Sequence, residues 1–184
     1  MRSLLLALVL AAPLVAQPAD PFTTDTTGLH AALAPYAGLV GDWSGTARQS
    51  TPAGPVEMQQ TERVRVGLGG AILTVEGIGR HLAADGTPGE IVFHALGVFS
   101  VDDAGAVWLD TRTRKNQHVR LQPEPVGNGF DWGFEVSEGG PVVAYEMRFD
   151  DAGRWVETGR VTLPSSQTFD TFEMTLGRVD PAAE

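Results

Sequence analysis

From residue 42 onward, apolar and polar residues alternate in short runs that are separated by turn residues, a pattern typical of β-strands. Valine, isoleucine, phenylalanine, threonine and tryptophan are frequent in the runs. The turns are rich in glycine, asparagine and aspartate, which accept the backbone conformations of tight turns. The pattern predicts strands at residues 42–49, 56–66, 71–79, 89–101, 105–113, 117–122, 129–136, 141–149, 154–163 and 168–178.

Short connections make strands that follow each other in sequence neighbours in space, so the pattern predicts an antiparallel meander. About ten such strands would leave two exposed edges unless the sheet closes. We therefore expect an all-β fold, an antiparallel up-and-down β-barrel, with a short N-terminal helix at one end. Thr27 is the expected cap of this helix, Leu33 and Tyr36 lie on its apolar face, and Pro35 is expected to cut it short.

The start of the chain has a different pattern. Arg2 supplies one positive charge, and an almost wholly apolar run follows, about half as long as the roughly 20 residues of a membrane-spanning helix. This pattern is typical of a secretory signal peptide, with Ala16 before the best cleavage point. We expect an exported protein, located in the periplasm or the extracellular medium. The expected division of the chain is a signal peptide at 1–16, a flexible leader at 17–27 and a single β-barrel domain at 28–180.

Composition narrows the classes of partner. The chain has 13 Lys and Arg residues against 23 Asp and Glu residues, a net charge of −10, and it has no cysteine. An acidic chain repels nucleic-acid phosphates and anionic lipid headgroups, and the lack of cysteine removes disulfides and thiolate metal sites. We expect no nucleic-acid partner, no membrane span and no metal site. The expected partner is a small apolar or amphipathic ligand, and the oligomeric state stays open.

A resemblance begins at the first predicted strand. The segment Gly41–Gly45 reads GDWSG, and this Gly-x-Trp-x-Gly pattern after a short helix resembles the start of calycin-superfamily barrels, which include lipocalins. More of the chain is similar to bacterial secreted lipocalin-like β-barrel proteins of unassigned function. The similar segments are Gln60–Glu62, Leu73–Gly79, His94–Ser100, Trp132–Phe134, Trp155–Gly159 and Phe172–Leu176. The resemblance covers nearly all of 38–179 and implies the barrel fold, but it carries no established activity.

A more distant resemblance, to nitrobindin-like barrels, raises the question of haem. Those barrels ligate haem iron through a histidine near their C-terminal end. The histidines of this chain are His30, His81, His94 and His118, and none lies in the final predicted strands. We therefore expect no cofactor, and haem is disfavoured.

Glu62 is the strongest candidate for a functional side chain. In a barrel alternate residues face inward, and Glu62 shares its phase with the apolar residues Val56, Met58 and Val64. The opposite phase of this strand is polar, as expected for a solvent face. A carboxylate inside the barrel would need a partner, or its pKa would rise. The alternative is a carboxylate at the barrel mouth, paired with an arginine.

The other candidates lie where the pattern leaves the direction of the side chain open. Both phases around Glu76 and His94 are mostly apolar, and a histidine in such a place is more often a core residue. Arg112 could neutralise a carboxylate in the lumen or face solvent, and Glu157 has the same ambiguity. Trp132 is expected in the lumen wall. The candidate ligand-binding set is Trp43, Glu62, Glu76, His94, Arg112, Trp132 and Glu157.

Recognised catalytic motifs are missing from the sequence. It contains neither a Gly-x-Ser-x-Gly elbow nor a His-Glu-x-x-His zinc motif. The leading hypothesis is an exported protein that binds a small, largely apolar ligand in the barrel lumen. One alternative is a barrel enzyme that uses Glu62 or Glu76 with His94 in acid–base chemistry. The other is an interaction module whose barrel is filled by side chains.

Overall fold

A computed structural model describes residues 21–179. The expected signal peptide at 1–16 lies outside these residues. The described segment contains an N-terminal 3₁₀ helix (Ala31–Leu39), a second 3₁₀ turn (Leu68–Gly70) and twelve strands. The strands are β1 (Phe22–Thr23), β2 (Gly41–Thr51), β3 (Gly54–Gly67), β4 (Ile72–Leu82), β5 (Pro88–Val101), β6 (Val107–Thr113), β7 (His118–Leu121), β8 (Glu124–Val126), β9 (Gly129–Glu135), β10 (Val142–Phe149), β11 (Trp155–Thr162) and β12 (Thr168–Arg178).

The strands form one curled, antiparallel, up-and-down sheet. Its order is β7-β6-β5-β4-β3-β2-β12-β11-β10-β9-β8, so the last described strand, β12, pairs with β2 in the middle of the sheet. All ten strands predicted from the sequence are present, and the all-β up-and-down architecture is confirmed. Phe22 and Thr23, in the segment expected to be a flexible leader, pair with Gly67 and Val66 of β3.

The sheet curls into a half-barrel, and this corrects the expected full closure. Strands β7 and β8 are its two edges, and no ladder joins them within residues 21–179. The connection between them contains Pro123, and β8 contains Pro125. Neither residue has a backbone N–H to donate to a ladder, which favours an edge at this place. The Tyr36 hydroxyl donates to the Pro123 carbonyl over 2.9 Å and so ties this edge to the N-terminal helix.

The N-terminal helix starts later than the sequence predicts. Its cap is His30, whose Nδ1 accepts a hydrogen bond of 3.2 Å from the Ala32 N–H, and not Thr27. The Thr27 N–H instead donates to the Asp25 carboxylate in a turn that precedes the helix. The side chain of His30 therefore satisfies a free donor of the first turn, the role expected of Thr27.

Pro35 lies inside this helix and does not end it, contrary to the prediction. Leu33, Tyr36 and Leu39 are buried at intervals of three residues, the repeat of a 3₁₀ helix. Because buried side chains lie on both sides of Pro35, packing against the sheet outweighs the one hydrogen bond that the proline cannot make.

The core is concentrated at the helix end of the half-barrel. Tyr36 of the helix packs against Phe99 and Phe130, with ring centroids 4.8 and 5.5 Å apart. Trp43 is 1% exposed, and its indole N–H donates to the Leu39 carbonyl over 2.7 Å. This end is filled with side chains, so any open space must lie farther along the strands. No helix among the described residues is long and apolar enough to cross a membrane.

Candidate functional site

Strand β3 brings polar side chains to the inner face of the sheet. Met58, Gln60, Glu62 and Val64 alternate along the strand, and all four are buried. The residues between them face outward, in the phase that the sequence pattern assigns to solvent. Gln60 and Glu62 therefore share the inner face with the apolar core.

A cavity of about 610 Å³ lies on this inner face. Most of its wall is aliphatic or aromatic, including Val75, Val92, Phe93, Phe134, Val143 and Phe172. Gln60, Glu62 and Glu157 contribute carboxyl and amide groups to the same wall. The exposed residues Arg114 and Lys115, in the β6–β7 hairpin, also border the cavity.

Glu62 is buried beside this cavity, with 8% of its surface exposed. Its Oε1 accepts a hydrogen bond of 2.6 Å from the Gln60 side-chain amide. Gly77 lies opposite on β4, where a Cβ atom would stand 2.6 Å from Glu62 Oε1, so the absence of a side chain makes room for the carboxyl group. Burial raises the pKa of Glu62 to about 8, and the nearby carboxyl groups of Glu157 and Glu76 add to the rise.

Glu157 lies on the inner face of β11 and is 7% exposed. Its Oε1 accepts from the Trp132 indole N–H and its Oε2 from the Trp155 indole N–H, each over 3.1 Å. These two hydrogen bonds favour the ionised form, but burial has the larger effect and raises the pKa of Glu157 to about 7.

Tyr145 completes the aromatic side of the cavity. Its ring stacks on Trp132 with centroids 4.1 Å apart and an angle of 10° between the planes. Burial, with the nearby Glu157 carboxyl, raises the pKa of Tyr145 to about 12, so the phenol is neutral at physiological pH. The cavity therefore contains an aromatic wall next to a buried acid.

Three candidates whose direction the sequence left open, Glu76, His94 and Arg112, lie on the outer face. Glu62 pairs with Gly77 across β3 and β4, whereas Glu76 pairs with Arg63 on the opposite face. The imidazole Nε2 of His94, a residue that borders the cavity, contacts Glu76 Oε1 over 3.1 Å. Arg112 is exposed and donates to the Asn116 side chain. Glu62 therefore has neither His94 nor Arg112 as a partner.

The remaining candidates divide between the cavity and the core. Trp132 and Glu157 line the cavity with Glu62, whereas Trp43 belongs to the packed helix end. Whether any of them binds a ligand stays a prediction. Gln60, Tyr145 and Trp155 also line the cavity and were not among the candidates from the sequence. Gln60 shares the phase of Glu62, Trp155 shares that of Glu157, and Tyr145 lies in the phase opposite Glu146, so the alternation along these strands could have identified them.

The residues present do not fit a haem held through histidine. His94 and His118 contact the outer-face carboxylates Glu76 and Asp110, each over 3.1 Å. His30 caps the N-terminal helix, and His81 is exposed at the end of β4. In the part of the chain that the structure describes, no group of three His, Asp or Glu side chains could hold a metal ion.

Fold and site together define an antiparallel half-barrel with an acidic, mostly apolar cavity. The chain resembles the crystal structure of Rv2717c from M. tuberculosis, with a TM-score of 0.61 and 17% sequence identity. The match covers 83% of this chain and 99% of that one. At this level of identity the likeness establishes the fold alone. No protein-family model and no curated protein matches the chain.

Proposed function

We propose that this protein binds a small, largely apolar molecule in the cavity of its half-barrel. The observation that carries the proposal is the wall of the 610 Å³ cavity, which is mostly apolar and contains a few convergent polar groups. Ligand sites commonly have this composition, because apolar walls supply affinity and a few polar groups orient the ligand. Gln60 and Glu62 are the polar groups best placed to orient it.

The proposal includes export and the lipocalin-like assignment. Export is supported by the basic start, the short apolar run and Ala16 before the expected cleavage point. The assignment is supported by the GDWSG segment and the segments that follow it, while the likeness to Rv2717c supports a barrel fold.

Two other functions were open from the sequence. The cavity counts against an interaction module with a filled barrel, because such a module needs no internal space. An acid–base enzyme is the second candidate, favoured by the buried carboxyl groups of Glu62 and Glu157 in the cavity wall. That enzyme would lose turnover in Glu62→Gln without unfolding, and full activity of the variant would remove Glu62 from the mechanism.

The first test is native mass spectrometry of the full-length gene product, purified from its own host. The proposal predicts a bound small molecule that is lost on denaturation. It also predicts that the mass of the polypeptide matches a chain that starts at Gln17. A polypeptide that still contains residues 1–16 would contradict export.

The second test is titration with an environment-sensitive apolar dye, using two variants of adjacent residues. Ala95 lines the cavity, whereas Leu96 is 48% exposed on the outer face of the same strand. The proposal predicts saturable binding that Ala95→Phe weakens about tenfold or more by occupying the cavity, while Leu96→Phe has no effect. Absence of saturable binding, or equal weakening by both variants, would contradict a ligand in the cavity.

A further inference from the structure

We infer that the ligand presents an uncharged oxygen acceptor, such as a ketone or ester carbonyl, to the carboxyl group of Glu62. This inference rests on the proposed function and names the chemistry of the ligand. It follows from the lack of a cation beside Glu62 and from the hydrogen bonding of its two oxygens, of which only one has a partner. It also follows from Glu157, whose two oxygens both accept hydrogen bonds.

The surroundings of Glu62 contain no compensating charge. Within residues 21–179, Glu62 has no ion pair, and its one hydrogen bond comes from the neutral amide of Gln60. Another buried acid, Glu157, borders the same cavity. An isolated buried charge is costly, so the neutral carboxylic acid is the form that this environment favours.

The two oxygens of Glu62 have different roles. Oε1 accepts from the Gln60 amide, and the carbonyl oxygen is the stronger acceptor of a carboxylic acid, so we assign the hydroxyl hydrogen to Oε2. Among the described residues, Oε2 has no hydrogen-bond partner, and the atom is not completely buried. Because Glu62 lines the cavity, this O–H group is available to a ligand there.

Glu157 does not offer the same group. Both of its oxygens already accept hydrogen bonds, from Trp132 and from Trp155. A ligand carboxylate beside Glu62 and Glu157 would meet two acids, since the cations that border the cavity, Arg114 and Lys115, are exposed and form no ion pair with either acid. An uncharged acceptor therefore suits the inner wall better than an anion.

Three probes of similar size test this chemistry: 2-isopropenylnaphthalene, 2-acetylnaphthalene and 2-naphthoate. Their affinities are measured by fluorescence at pH 6 for the wild-type chain, Glu62→Leu and the control Glu76→Gln, which changes a carboxyl group on the outer face. Circular dichroism checks that each variant is folded. The infrared carbonyl stretch of bound 2-acetylnaphthalene shows directly whether its oxygen accepts a hydrogen bond.

The inference predicts that wild type and Glu76→Gln bind the ketone about fivefold to tenfold more tightly than 2-isopropenylnaphthalene, the gain expected from one hydrogen bond. Glu62→Leu should lose this preference and the shift of the carbonyl stretch, while still binding 2-isopropenylnaphthalene. Tightest binding of 2-naphthoate, or a ketone preference that survives Glu62→Leu, would overturn the inference and leave the proposed function intact. Failure of all three probes to bind the wild-type chain would overturn both.

Discussion

Acidic side chains have opposite surroundings on the inner and outer faces of the sheet. On the outer face Asp42 binds Arg65 through two hydrogen bonds of 2.8 Å, and water reaches both residues. On the inner face Glu62 and Glu157 are buried, and within residues 21–179 they receive hydrogen bonds only from neutral amide and indole groups. Successive residues of one strand, Glu62 and Arg63, belong to these different environments. The difference shows that the face of the sheet, more than the residue type, determines whether a carboxyl group pairs with an arginine or is buried among neutral donors.

This difference has consequences for stability. Solvent-exposed ion pairs contribute about 0–1 kcal/mol, because water screens them and the side chains lose freedom. Each unit by which burial raises the pKa of a carboxyl group adds about 1.4 kcal/mol to the free energy of ionising that group. Changes on the inner face should therefore have larger effects than matched changes on the outer face.

The largest effect is expected from the buried Trp43, compared with the partly exposed Trp108. Trp43 packs against Phe149 and Trp155, whereas Trp108 contacts solvent and the Arg120 guanidinium. Trp43→Ala should lower the free energy of unfolding by about 3–5 kcal/mol, the cost of a large core cavity. Trp108→Ala should cost about 1 kcal/mol or less. Urea unfolding followed by circular dichroism measures both, and equal losses would contradict the division between the faces.

The next effect is a loss of stability as the pH rises. The pKa of Glu62 is about 8 and that of Glu157 about 7 in the folded protein, above the ordinary value of 4.5. The folded state therefore holds more protons than the unfolded state above pH 4.5. The stabilisation is complete below that pH and is lost as the pH rises to 8. We expect the free energy of unfolding to fall by a few kcal/mol between pH 5 and pH 8.

Two variants test whether the inner carboxyl groups cause this pH dependence. Glu62→Gln should remove the larger part of the slope and raise stability at pH 8, because glutamine at this position does not ionise, while Glu157 keeps its own smaller contribution. Glu57→Gln, on the outer face of the same strand, removes the exposed ion pair with Arg48 and should leave the slope unchanged. A wild-type stability that is constant from pH 5 to pH 8 would show that the inner carboxyl groups have ordinary pKa values.

A smaller effect is expected from removing one indole donor. Trp132→Phe deletes the hydrogen bond to the buried Glu157 and should cost about 1–2 kcal/mol at neutral pH. Because this hydrogen bond lowers the pKa of Glu157, the variant should also raise that pKa further. The control is Trp108→Phe, which deletes an indole bond to the exposed Asp102 and should cause no measurable loss. Chemical denaturation compares the two, and an equal cost would argue against any special effect of burial.

The smallest effect is expected from the outer ion pairs. Arg48→Gln, which removes the exposed ion pair with Glu57, should lower stability by about 1 kcal/mol or less, and the loss should shrink as salt is added. Thermal unfolding in low and high salt measures it. A loss that exceeds that of Trp132→Phe would reverse the order of the two faces.

The sequence predicted the direction of side chains best in strands that have one polar face. Strand β3 alternates apolar and polar residues along most of its length, so its pattern favoured the inward direction of Glu62 that the structure has. Strands β4 and β5 carry apolar residues on both faces, and Leu96 is exposed although it is apolar. The pattern therefore did not show that Glu76 and His94 face outward together.

Other features depend on contacts that a linear pattern does not contain. Residues 31–39 form a helix with a proline in it because both halves pack against the sheet. The open edge at β8 arises in a strand of three residues, too short for alternation to be recognised. The cavity itself depends on which side chains are absent from the inner face, such as that of Gly77 beside Glu62.

The most direct test of the buried, uncharged Glu62 is a pH titration of the glutamate side-chain carboxyl carbons by nuclear magnetic resonance, in the wild-type chain and in Glu62→Gln. We predict one carboxyl signal that titrates near pH 8 and disappears in Glu62→Gln, because burial without a cation keeps this acid protonated. We also predict a second signal near pH 7, from Glu157, that both proteins share. Titration of every glutamate carboxyl group well below neutral pH would contradict a neutral acid in the cavity wall.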